Sequence, residues 1–132
     1  MNVPYRIFLD DLRTIDMVYP NQLFPDFQKF MEISELVICR TMDEAVALIE
    51  SKGYLPNFIS FDNDLGEDEN EMPLKEGIDF AHWIVESVLD EKYILTDDFE
   101  FFVHSANSIA GPEIRILLNN FINFQKKQLN KK

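Results

Sequence analysis

Residues 5–11 read YRIFLDD and residues 57–62 read NFISFD, two short and mostly apolar runs, each stopped by aspartate. A strand with one face in water alternates apolar and polar residues, whereas a strand covered on both faces reads as a nearly unbroken apolar run. These runs therefore predict buried strands at 5–9 and 57–61, with Asp10-Asp11 and Asp62 at their carboxyl ends. Residues 36–39 (LVIC), stopped by Arg40-Thr41, and residues 99–103 (FEFFV), followed by His104-Ser105, predict two more strands of the same kind.

Helical signals lie between the strands. Thr41-Met42-Asp43-Glu44 has the form of a capping box, in which the Thr hydroxyl accepts from the Glu44 amide and the Glu carboxylate reaches back. It opens a helix to Lys52 with Ala45, Val46, Leu48 and Ile49 on its apolar face, and Gly53 suits the left-handed residue that ends it. Ile78, Ala81, Val85 and Leu89 repeat at helical spacing. A last helix is predicted from about Pro112, carrying Ile114, Leu117, Leu118, Phe121 and Ile122. Residues 63–73 read as a polar loop. In 12–35, Pro20 and Pro25 interrupt any long helix and leave room for a short one at 26–32.

Strands alternating with helices imply right-handed crossovers, hence a parallel sheet covered on both faces. The fold class is α/β, with a small, doubly wound sheet of four strands. Ligands of such sheets bind beyond the carboxyl ends of the strands, and strands one, three and four all end there in polar groups.

The chain of 132 residues is the size of one domain, expected over 1–124, with a polar, basic tail at 125–132 expected to fray. Twelve Phe within a 46% apolar composition point to a packed aromatic core. With 24 acidic against 12 basic residues the net charge is −12, which disfavours duplex nucleic acid as a partner. A small anionic ligand remains compatible where a divalent cation or a local Arg offsets the field. No apolar run approaches membrane-spanning length, and Asp10-Asp11 break the only apolar stretch near the start, so a soluble, cytoplasmic chain is expected. Cys39 is the sole cysteine, which excludes an internal disulfide and a thiolate zinc site and fits a buried strand position.

Taken singly, Asp10-Asp11 suit a cap and Asp62 with Asp64 suit a solvated turn, as the acidic stretch 67–71 suits a solvated loop. If strands one and three are neighbours, these carboxylates converge, and ionised carboxylates that close must take up protons or share a cation. Hard oxygen donors suit Mg²⁺ or Mn²⁺. DNDLG at 62–66 is no EF-hand loop, because its Gly falls one place early and Pro73 stands where the bidentate Glu belongs. His104, at a strand end, is either a buried structural His or an acid–base group. His82, beside Ala81 and Val85, is expected to pack. Arg13 is placed to clamp a phosphate or to neutralise the aspartates.

LDDLR at 9–13, SFDNDLG at 60–66, Gly77 and HSANSIAG at 104–111 occur in the order seen in response-regulator receivers. More specifically, the chain resembles cyclic-phosphate processing receiver domains over nearly its whole length. The resemblance implies a receiver- or flavodoxin-like sheet in order 2-1-3-4 lacking the fifth strand. It implies Asp10, Asp11 and Asp62 on a divalent metal, with His104, Ser105 and Asn107 facing a cyclic phosphate of a nucleotide or RNA end. The activity implied is that of a divalent-metal-dependent cyclic phosphodiesterase or hydrolase. Two positions depart from the family pattern: Asn63 replaces a common His between the two aspartates, and Ser108 follows Asn107 where Pro is frequent. The alternative from another class is a non-catalytic receiver-like module that binds a protein partner or a phosphorylated ligand. Aspartyl-phosphate signalling ranks behind both, because its Lys follows a fifth strand and Lys126 and Lys127 come too late to replace it.

Overall fold

The structure, a computed structural model, describes residues 3–10, 35–62, 77–103 and 110–130. Four parallel strands, β1 (Tyr5–Leu9), β2 (Glu35–Cys39), β3 (Phe58–Phe61) and β4 (Glu100–Val103), form one sheet in the order β2-β1-β3-β4. The two wholly buried strands are the central ones: every residue of β1 and of β3 is buried, while β2 and β4 at the edges are mostly half-buried. Asn57 precedes β3 yet extends its ladder, donating to the Tyr5 carbonyl at 2.9 Å and accepting from the Glu100 amide at 3.1 Å.

Helices α1 (Met42–Lys52), α2 (Gly77–Leu89) and α3 (Ala110–Asn130) share one core with the sheet face that carries Ile7, Leu9, Ile59 and Phe61. Phe8, Phe58 and Ser60 on the other face are buried as well, as a doubly wound sheet requires. Cys39 lies in the core at 2% exposure, and burial pushes its thiol up to about 12, so it is an inert strand residue. Burial also raises the Tyr5 phenol well above its ordinary range. Its hydroxyl donates to the Tyr54 carbonyl at 2.6 Å.

The start of α1 follows the sequence signal. Thr41 Oγ1 accepts from the Glu44 amide at 3.1 Å, and the Glu44 carboxylate reaches back to the Arg40 amide at 3.2 Å. Gly53 closes the helix at φ 81°, its amide on the Ile49 carbonyl. Thr41→Ala is expected to lower stability by about 1 kcal/mol in urea unfolding, because the Glu44 amide loses its acceptor.

Two helices differ from expectation. The face of α2 turned to the core is Gly77, Phe80, Ala81 and Ile84, whereas Ile78 and Val85 are half-buried and Leu89 is exposed. Apolar residues run most of the way round this helix, so two stripes competed, and the one holding the large Phe80 ring packs inward. His82, expected to pack, is exposed. The stripe Ile114, Leu118 and Phe121 buries α3, which continues through 125–130, the segment expected to fray. Lys126 and Lys127 sit near its carboxyl end, where cations complement the helix dipole.

Candidate functional site

Adjacent parallel strands held in register place the residues that follow them side by side. Leu9 of β1 pairs with Cys39 of β2 and with Phe61 of β3, and Phe61 pairs with Val103 of β4. The next residue on β1 is Asp10 and the next on β3 is Asp62. Their backbones continue the ladder: the Asp10 amide donates to the Cys39 carbonyl at 3.1 Å and the Asp62 amide to the Leu9 carbonyl at 2.9 Å. Neighbouring strands lie roughly 4.8 Å apart, so the backbones of the two aspartates leave the sheet side by side at about that spacing.

Both are buried, Asp10 at 0% and Asp62 at 6% exposure. Carboxylates desolvated this close cannot both stay ionised unless a cation or donors compensate them. The guanidinium of Arg40 stands beside the pair, its Nη1 donating to the main-chain carbonyl of Asp10 at 3.1 Å. Arg40 follows Cys39, the register partner of Leu9, so β2 also ends in a polar group beside Asp10. Sequence reasoning passed over it. The signal was its place directly after an apolar run, the same signal that marked the aspartates.

The sequence model of the cyclic-phosphate processing receiver domain family matches residues 5–120, a span that holds all four strands and most of α3. The chain belongs to that family. As a cyclic-phosphate processing receiver domain it carries the four parallel strands in the order 2-1-3-4 implied by the resemblance. Among solved structures it is similar to a response regulator receiver domain protein from Clostridium thermocellum, at 14% identity and a TM-score of 0.40, over 95% of this chain and 98% of that one. It is also similar to a fusion carrying residues 181–211 of the trimeric coiled coil of yeast Spc42, at 14% identity and a TM-score of 0.43, over 98% of this chain and 85% of that one. No curated protein matches the sequence.

Of the positions expected in the site of this receiver domain, the structure brings Asp10 and Asp62 together. Asp11, Arg13, Asp64, His104, Ser105 and Asn107 lie outside the described residues. Among the described residues no group of three or more His, Cys, Asp or Glu side chains forms a complete metal cage. Two carboxylates do suit Mg²⁺ or Mn²⁺, which keep several waters and take few protein ligands. Among the same residues no helix is long and apolar enough to cross a membrane.

Proposed function

We propose that this receiver-like domain is a divalent-metal-dependent phosphoesterase acting on the cyclic phosphate of a nucleotide or an RNA end. The observation that carries the reading is the buried pair Asp10 and Asp62 at the carboxyl ends of adjacent strands, in a family defined by cyclic-phosphate processing. Asp10 and Asp62 would hold Mg²⁺ or Mn²⁺, with Asp11 and Asp64 as the further carboxylates next to them in the sequence. When bound, such an ion would polarise the phosphoryl oxygens and ease deprotonation of the attacking water. His104, which follows Val103 at the end of β4, would give or take a proton at the scissile oxygen. Ser105, Asn107 and Arg13 would hydrogen-bond to the phosphate and fix its orientation.

Two measurements test this. Calorimetric titration with Mn²⁺ is expected to reveal one site that Asp62→Asn weakens by more than about a hundredfold, beyond the usual loss for a residue merely supporting a ligand. Asp43→Asn, exposed on α1, should leave it unchanged. Equal behaviour of the two variants removes the metal. With Mn²⁺ present, a panel of cyclic mononucleotides, cyclic-phosphate-ended RNA and ADP-ribose-type cyclic phosphates should contain a substrate. Binding at the aspartates without turnover of any member would identify a ligand-binding module instead.

A further inference from the structure

The outer edge of β4 borders a groove of about 330 Å³ that runs along the whole strand. Its far wall is a stripe of α3, Arg115, Asn119 and Ile122, which stand at the i, i+4, i+7 spacing of one helix face. The core-facing stripe, Ile114, Leu118 and Phe121, is offset by a single residue, so α3 covers the core with one side and walls the groove with the next.

The strand offers main-chain groups to this groove. In a parallel ladder successive residues turn their N–H and C=O alternately to one neighbour and the other. Glu100 donates to Asn57 before β3, so Glu100 and Phe102 turn inward, and Phe101 and Val103 turn toward the groove. The Val103 carbonyl is met there by Arg115 Nη2 at 3.3 Å. Among the described residues β4 pairs with β3 alone. An amide row beside a strand-length groove is the chemistry that recognises an extended peptide by strand addition.

We propose that the β4 edge takes up an extended segment of a partner protein, bearing basic residues, as a fifth strand. Within the groove Arg115 offsets Glu100, so charge sets the character of the occupant where it leaves the groove. The exposed Asp97 and Asp98 stand where the chain enters β4, Glu100 lines the groove, and the whole molecule carries −12. Basic residues over Asp97 and Asp98 are attracted on approach and in the bound state. A second copy is the poorer occupant. It brings another −12, and its own α3, which walls the same edge, would meet this α3 across the twofold axis.

The probe is a capped peptide, Lys-Thr-Val-Thr-Val-Thr-Lys, compared with the same peptide methylated on alternate backbone nitrogens, which keeps its charge and loses its ladder donors. With the full chain, the unmodified peptide is expected to slow amide exchange at Phe101 and Val103 by at least about tenfold, with no change at Phe102, already paired to β3. Asn119→Trp, at an exposed helix position, should fill the groove and weaken binding by at least about tenfold. Equal binding of the two peptides, unchanged exchange at Phe101, or full binding by Asn119→Trp overturns the proposal. Protection of Phe101 that grows with protein concentration in the absence of peptide would assign the edge to a second copy and overturn it equally.

Discussion

His104→Ala is expected to lose at least roughly a hundredfold in turnover of a cyclic phosphate while still taking up Mn²⁺, since a positioned acid or base typically contributes on the order of 10²- to 10⁴-fold. The residue directly follows Val103, which is in register with Phe61, just as Asp62 directly follows Phe61. An imidazole, with an unperturbed pKa of about 6.5, exchanges protons near neutral pH, which a carboxylate in its ordinary range does poorly. The variant's loss should be in kcat, with metal affinity by calorimetry unchanged. His82→Ala is the control: that ring is exposed on α2, and its removal should leave the rate as it is. Equal rates for the two variants would take His104 out of the chemistry.

Phe61→Ala should cost about 3–5 kcal/mol of stability in urea unfolding, the usual range for emptying a buried aromatic site. Phe61 is 0% exposed and sits where three elements meet. Its ring centroid lies 5.9 Å from Phe80 on α2 and 6.3 Å edge-on from Phe101 on β4, and Phe80 in turn stacks on Trp83 at 6.0 Å. Removing it opens a cavity that rigid strands on either side cannot collapse to fill. Ile94→Ala, at a residue 86% exposed, should stay within about 0.5 kcal/mol of the parent. A similar loss at both positions would mean that the aromatic cluster is not where the stability resides.

β1 and β3 were legible because burial on both faces leaves nearly unbroken apolar runs; β2 and β4, expected to be of the same kind, are half-buried edge strands that nonetheless kept such runs, and each run was found to within a residue of its place. The start of α1 was legible because Thr41 and Glu44, three residues apart, are the types whose side chains satisfy the free amides at a helix start, here those of Glu44 and Arg40. The inward face of α2 was not. Ile78, Ala81, Val85 and Leu89 form as regular a stripe as Gly77, Phe80, Ala81 and Ile84, and only the neighbouring sheet and α3 choose between them. The extent of α3 was missed because 125–128 reads Gln-Lys-Lys-Gln with no apolar residue to mark a helix face, and helix propensity with a favourable dipole carries it on. At the site, Asp10 and Asp62 stood out as charges ending apolar runs. Arg40 gave the same signal and went unread, since a lone basic residue ahead of a capping box is accounted for by the helix it precedes.

The position of β1 in the sheet has a kinetic side. It is first of the four strands along the chain, yet it holds a neighbour on each edge, β2 ending at Cys39 and β3 ending at Phe61. A chain emerging residue by residue from the ribosome therefore exposes a strand that is buried along its whole length in the finished sheet long before the second of those neighbours exists. Each parallel pair also requires the closure of a long connection before any contact repays the lost entropy. β1 can therefore be paired on both edges only once Phe61 has emerged, and β3 on both edges only once Val103 has. Until Phe61 emerges, the apolar side chains of Tyr5–Leu9, wholly covered in the finished sheet, lack one of the two strands that flank them.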